Sequence, residues 1–240
     1  MIVDLQPGTP VDHIRAITLD LDDTLWAIGP VIRNAEAALW AWLTEHYPRI
    51  PETFGAEDLL AMREAVIDQY WDKSHDFRFL RKKVLAQVAE AAGYDDALVD
   101  PAFEVFDDAR NTVDLYPDVR HELEWFYERY TVVAVTNGNA SLSKIGIRHL
   151  FHGVVTAVDA GSAKPARPIF DAAIRASGVS AERILHVGDH PETDIHGARQ
   201  AGLQTAWINR NGHEWPDSYD EPDAVVTTLT ELRELLGGEQ

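Results

Sequence analysis

Strand-like runs alternate with helical segments through the second half of this chain, and that alternation leaves few folds open. After Pro117, "DVRHELEWFYERY" has a helical period and "TVVAVTN" is a continuous apolar run. "SLSKIGIRHL" then reads as a helix, "GVVTAV" as a strand, "RPIFDAAIRASG" as a helix ending at Gly178, and "RILHVGD" as a strand. "ETDIHGARQAG" reads as a helix, "QTAWIN" and "DAVVT" as strands, and "LTELRELL" as a closing helix with Thr227 or Thr228 as its cap. Strands that alternate with helices form a parallel, doubly wound sheet with both faces covered, so the fold class is α/β and Rossmann-like.

One strand stands apart from this series. "HIRAITL", His13 to Leu19, is short, apolar and rich in β-branched residues, and about four helices separate it from the rest. "AEAALWAWLTEHY", "AEDLLAMREAVIDQYW", "FRFLRKKVLAQVAEAAG" and "LVDPAFEVFDDARN" place apolar residues at i, i+3 and i+4, with Pro48 and Gly93 where helices should stop. The first strand is expected to rejoin the later sheet. That makes residues 28–112 an inserted helical cap over the sheet edge, and residues 1–27 with 113–240 the α/β core. A length of 240 residues suits one core with a large insertion.

Composition narrows the function. The 21 Lys and Arg against 40 Asp and Glu give a net charge of −19, which repels nucleic acid and anionic lipid. No run approaches the ~18 apolar residues of a membrane helix. "MIVDLQPGTPVD" lacks the basic start, apolar stretch and cleavage site of a secretion signal. There is no cysteine, which rules out a thiolate metal site or nucleophile and fits a cytoplasmic location. A small anionic substrate remains compatible if the site concentrates positive charge, including a metal.

Ligands of open parallel sheets bind at the carboxyl ends of the strands. Polar residues collect there: Asp20, Asp22 and Asp23 after the first strand, Thr136 and Asn137 after "VVAV", Lys164 after "VVTAV", and Gly188 and Asp189 after "ILHV". Asp194 follows in the first turn of the next helix. Each group alone also reads as a turn or a helix cap. Their shared position at strand ends brings them together.

These four groups, in this order, resemble the motifs of the haloacid dehalogenase (HAD) superfamily: "DLDDT" (Asp20–Thr24), "TNG" (Thr136–Gly138), "KP" (Lys164, Pro165) and "GDHPETD" (Gly188–Asp194). The resemblance runs from residue 14 to about 209, and the helical insertion falls where that family carries its C1 cap. Within the family, "DLDDTLW", "VTNGNA", "ILHVGD", "TDIHGARQAG" and "WIN" look like bacterial phosphatases of FMN and of the phosphoribitylamino-uracil intermediate of riboflavin synthesis.

The resemblance implies a Mg²⁺-dependent phosphatase of a small phosphorylated metabolite, with Asp20 as nucleophile and Asp22 as proton shuttle. Asp20, the Asp22 carbonyl and Asp189 are implied to hold Mg²⁺, with Asp194 supporting them. Thr136, Asn137 and Lys164 are implied to bind the phosphoryl group. Two departures stand out. Asp23 occupies a position where many members carry Gly, with a turn or cap role left open, and "KPARPIF" places its second proline one position late.

Inside the insertion, "WDKSHDFRFLRKK" (Trp71–Lys83) interleaves basic and aromatic residues. His75, Arg78 and Arg81 are candidate substrate contacts; the alternative is an aromatic core under a solvated charged face. Ten histidines show no zinc-ligand spacing; His186 reads as a core residue and His190 as a loop residue. Three rival activities remain. Hydrolytic dehalogenation needs no carboxylate at the position of Asp22, and a sugar phosphomutase keeps both aspartates. A non-enzymatic phospho-accepting signalling module would lack the helical insertion. Oligomeric state is left open.

Overall fold

The computed structural model describes residues 13–238; the stretch read for a secretion signal, residues 1–12, lies outside them. Two compact units emerge. Among the described residues, the α/β unit comprises 13–27, 114–138 and 146–238, and the helical unit comprises 28–113 with 139–145.

The α/β unit is built on one parallel sheet. Its strands are β1 (Ala16–Leu19), β2 (Thr131–Thr136), β3 (Gly153–Thr156), β4 (Ile184–Gly188), β5 (Gln204–Ile208) and β6 (Ala224–Val226), in the order β3-β2-β1-β4-β5-β6. β1 rejoins the sheet at its centre, with Leu19 in register with Ala134 on one side and Val187 on the other. Strand order reverses between β1 and β4, and crevices at such reversals are where doubly wound sheets bind ligands.

The helices of the helical unit are α1 (Ile28–His46), α2 (Arg49–Thr53), α3 (Ala56–Gln69), α4 (Phe77–Ala91) and α5 (Val99–Arg110). Those of the α/β unit are α6 (Val119–Arg129), α8 (Ala157–Ala160), α9 (Arg167–Ser177), α10 (Gly197–Gln200) and α11 (Leu229–Leu235), while α7 (Leu142–Ile145) belongs to the helical unit. On one sheet face, Ala16, Val133, Val135 and Val155 pack with Ile169, Phe170 and Ala173 of α9 and Ala198 of α10. α6 packs on β2 and on α11, which reaches β6. All strands but β3 and β6 are almost wholly buried, as a sheet covered on both faces requires.

The helical unit has its own core. Ala35, Leu39 and Leu43 of α1 recur at every fourth position and meet Leu85, Val88 and Ala89 of α4 and Ala102, Phe103 and Phe106 of α5. That is the apolar stripe of an amphipathic helix. α1 begins at Ile28, ahead of the periodic stretch that starts at Ala35, and Pro30 is tolerated in its first turn, where the missing N–H is not needed.

Four expected elements differ. The helix over "SLSKIGIRHL" breaks into α7 and a 3₁₀ turn, Arg148–Leu150, because Gly146 sits at φ +83° in the left-handed region. "GVVTAV" ends as a strand at Thr156, whose hydroxyl accepts from Asp159 N and starts α8 as a capping box. The helix after β4 opens with a π-helical turn, Pro191–His196, before α10. The strand read from His13 begins only at Ala16. Among the described residues no helix is long and apolar enough to cross a membrane.

Candidate active site

Asp20 lies one residue beyond β1, and its N–H continues the ladder to Val187 O at 2.9 Å. The position is fixed by two flanking strands rather than by a loop. Its carboxylate is buried and meets Lys164, whose Nζ donates to Asp20 Oδ1 at 2.5 Å, to Asp194 Oδ1 at 2.6 Å and to the Val135 carbonyl at 3.0 Å. All three Nζ protons thus have acceptors.

Asp194 is fully engaged in turn. Its Oδ2 accepts from His190 N at 3.0 Å, and its Oδ1 also takes a longer contact, 3.3 Å, from His186 Nε2. His186 is the register partner of Thr18, and its Nδ1 accepts from the Thr18 hydroxyl at 2.8 Å. His186 is therefore a satisfied core residue, as its place in a strand suggested, and it also reaches the site. Burial lowers its pKa and favours the neutral ring; because the Asp194 carboxylate can only accept, the proton sits on Nε2.

Asn137 clasps the Lys164 backbone. Its Oδ1 accepts from Lys164 N at 2.7 Å and its Nδ2 donates to Lys164 O at 3.0 Å. The side chain thus shapes the lysine turn, which holds a cis Lys164–Pro165 bond. The Thr136 hydroxyl, at the end of β2, accepts from Gly138 N at 2.9 Å and is 1% exposed.

Beyond Asp20 the chain turns back on itself. Asp23 N donates to Trp26 O at 2.8 Å and Leu25 N to Leu21 O at 2.8 Å. Asp22 Oδ1 accepts from the indole Nε1 of Trp26 at 2.9 Å, and Trp26 is fully buried. Trp26 orients the second motif aspartate, a function that the sequence reading passed over although the two lie four positions apart. Asp23 has φ +58°, the only non-glycine residue among those described in the left-handed region. The turn demands positive φ, which Gly adopts freely and Asp tolerates better than most side chains. Across the sheet, Trp207 Nε1 donates to the Asp189 carbonyl at 2.7 Å, a second anchor without a sequence signal.

The electrostatics are lopsided. Burial raises Asp20 well above the carboxylate range; Lys164 opposes this, while Asp194 and Asp189 add to it. Burial, then Asp194 and Asp23, push Asp189 up to about 7. Burial also works against charge on Asp194 and on Lys164, but their mutual attraction outweighs it, so Asp194 stays ionised and Lys164 protonated. One lysine cannot balance the remaining carboxylates.

Carboxylate oxygens of Asp20, Asp189 and Asp194 lie within 4.8 Å of one another. An all-oxygen, excess-negative donor set of this kind fits a hard divalent cation such as Mg²⁺. Asp20 and Asp189 are the better ligands, because both Asp194 oxygens already accept protein hydrogen bonds.

A sequence model of haloacid dehalogenase-like hydrolases matches residues 14–202. The chain belongs to the haloacid dehalogenase-like hydrolase family. Among relatives of this HAD-family chain is the 5-amino-6-(5-phospho-D-ribitylamino)uracil phosphatase YigB of Escherichia coli K12, 30% identical and aligned over 95% of this chain and 98% of its own. Among solved structures, a 2-haloacid dehalogenase from Pseudomonas syringae pv. tomato DC3000 superposes with TM-score 0.89 at 39% identity, covering 93% of this chain and 98% of the other. A HAD phosphatase from Thermococcus onnurineus gives TM-score 0.69 at 27% identity, over 94% and 99%.

The helical unit holds the three substrate candidates of the sequence reading. His75 is half-buried. Arg78 stacks on Phe103 at 4.6 Å and lies 3.5 Å from Asp107. Arg81 forks onto Glu36 at 2.7 and 3.2 Å and stacks on Phe106 at 3.4 Å. Lys82 and Lys83 likewise lie over aromatic rings, but Trp71 and Phe77 are exposed rather than core.

Proposed function

We propose that this HAD-family hydrolase is a Mg²⁺-dependent phosphatase of a small phosphate monoester, acting through an aspartyl-phosphate on Asp20. The observation that carries the reading is the buried Asp20 held at 2.5 Å by Lys164, with Asp189 and Asp194 gathered beside it. A nucleophilic carboxylate and a fixed cation at the same point suit attack on an anionic phosphoryl group.

Asp20 and Asp189, with the Asp22 carbonyl, would hold the Mg²⁺. When bound, the ion supplies positive charge that favours ionised carboxylates and offsets their repulsion of phosphate. The chain's own residues do the rest. An Asp20 oxygen bonds to phosphorus as the ester P–O bond breaks, and Asp22 protonates the departing alkoxide. Asp22 then takes a proton from water as that water attacks the phosphorus, releasing inorganic phosphate and free Asp20. Trp26 keeps Asp22 in one orientation. Lys164 sets a fixed positive charge beside the phosphoryl oxygens, the Thr136 hydroxyl donates to them, and Asn137 sets the lysine turn. Asp194 holds Lys164 in place.

The helical unit is proposed as the cap that selects among esters. The candidate substrates are FMN, the aminouracil phosphate named for YigB, and nucleotide-like esters. A cytoplasmic location agrees with the absence of cysteine.

The 39% identical dehalogenase structure favours a second reading, displacement of halide from carbon by the same Asp20. That chemistry leaves Asp22 and its Trp26 hydrogen bond without a task. Assaying p-nitrophenyl phosphate and 2-chloropropionate side by side decides between them. Phosphate release that needs Mg²⁺, stops with EDTA and is lost in Asp20→Asn is expected. Equal activity of wild type and Asp20→Asn would remove Asp20 from the mechanism. Product analysis with sugar phosphates separates hydrolysis from mutase chemistry.

A further inference from the structure

We infer that Arg210 is a positioning residue for the proton-shuttle loop, the segment that carries Asp22. Its kinetic consequence rests on the phosphatase reading; its structural consequence does not.

The loop leaves the sheet after Asp20 and so loses the support of neighbouring strands. Its ends are closed by the Asp22 carboxylate accepting from Trp26 Nε1 at 2.9 Å. Thr24 is the midpoint of that closure, two residues from each partner. The Thr24 carbonyl is pinned from outside by Arg210 Nε at 2.8 Å. The same guanidinium donates from both terminal nitrogens to Asp118, at 3.1 Å each, and lies over the Tyr116 ring at 4.2 Å. Tyr116 N in turn donates to the Leu25 carbonyl at 3.0 Å, one residue along the loop.

The brace is buried and anchored. The Arg210 side chain is 7% exposed and that of Asp118 12%. Asp118 precedes α6, and its Oδ2 also accepts from Leu229 N, the first residue of α11, at 2.7 Å. One side chain therefore ties the middle of the catalytic loop to the starts of two helices. Only arginine fits this geometry. Its planar fork satisfies a carboxylate with two parallel bonds and still has Nε–H for a carbonyl on the third side. A lysine at this site keeps the charge but cannot bind both partners in fixed directions.

A carboxylate that must give and later take a proton has to lie within hydrogen-bond reach of the ester oxygen. Misplacing such a group by ~1 Å costs on the order of 100-fold in rate. Removing Arg210 frees the Thr24 carbonyl, lets the Asp22–Trp26 closure move as a unit, and leaves Lys164 and the sheet residues in place.

The test compares wild type, Arg210→Lys and Arg210→Ala in steady-state hydrolysis of p-nitrophenyl phosphate and in backbone hydrogen exchange. Both variants are expected to lose about 10- to 100-fold in kcat, with KM within about threefold of wild type. Peptides covering residues 21–27 should exchange faster while those of β1 and β4 keep their protection. Guanidinium ion at millimolar concentration should restore part of the kcat of Arg210→Ala and none of that of Arg210→Lys. If the alanine variant loses protection throughout, the lysine variant alone carries the comparison. Unchanged exchange of 21–27 in the lysine variant, unchanged kcat in an active enzyme, or uniform loss of protection in both variants overturns the assignment. The exchange measurement reads the brace even if wild type hydrolyses no phosphate ester, so failure of the two readings is distinguishable.

Discussion

Asp194 occupies the space in front of Gly188: a Cβ built on that glycine would meet the Asp194 carboxyl carbon at 2.3 Å and its Cβ at 2.6 Å. The last residue of β4 is glycine because the carboxylate that holds Lys164 passes directly over it. Neither backbone strain nor a turn requires Gly at this point; close approach does.

Gly188→Ala should therefore act on the site through Asp194. The added methyl must push the carboxylate off Lys164 and off His190 N, and forcing atoms into a packed site costs about 1–3 kcal/mol. The expected outcome is a lower melting temperature together with a fall in kcat of about 100-fold or more. A variant with wild-type kcat would show that Asp194 does not need this position.

Mg²⁺ affinity should depend on pH through Asp189. Burial, Asp194 and Asp23 raise this carboxyl to about 7 in the metal-free protein, so it is protonated at pH 5 and ionised at pH 8. A cation competes with that proton. Affinity should rise with pH through about 7 and then level off, with proton release on binding below that pH. Titration calorimetry in two buffers of different ionisation enthalpy measures the released protons directly. The rise should be absent in Asp189→Asn.

Asp23 offers a backbone test. At φ +58° it needs a residue that tolerates the left-handed region, so Asp23→Gly should fold and turn over as wild type does. Asp23→Val should lose about 1–2 kcal/mol, because a β-branched side chain crowds the backbone in the left-handed region and lacks the short polar group that makes Asp tolerable there. Thermal melts of the two variants give the comparison. Removing the Asp23 charge should also move the pH midpoint of Mg²⁺ binding downward, since that charge helps to raise Asp189.

Much of this architecture was legible because periodicity reports burial. Val132–Val135 and Ile184–Val187 read as apolar runs because both sheet faces are covered. Ala35, Leu39 and Leu43 read as one helix face because they share one core. Asp20 and Asp189 could be picked out because each directly follows a strand, whereas Lys164 is separated from β3 by α8 and a turn. The misses have different physical origins. Gly146 gave no warning of its positive φ, and residues 139–145 gave none that they pack in the helical unit, where Ser141 N reaches Asn111 and Lys144 reaches Asp107. Arg210 and Trp26 escaped because their partners depend on where loops return, which no local period encodes. Asn137 was expected at the phosphate, and its amide is instead spent on the Lys164 backbone.

The central place of β1 also orders events during synthesis. β1 is made before every other strand, yet its neighbours begin at Thr131 and Ile184. Helices α1–α5 emerge between them and draw their core from residues close in sequence, which favours early folding. A nascent chain halted before β4 has Asp20 but not Asp189 or Asp194, with one edge of β1 unpaired. The ribosome thus completes the helical unit well before the chain holds all three carboxylates that gather around Lys164.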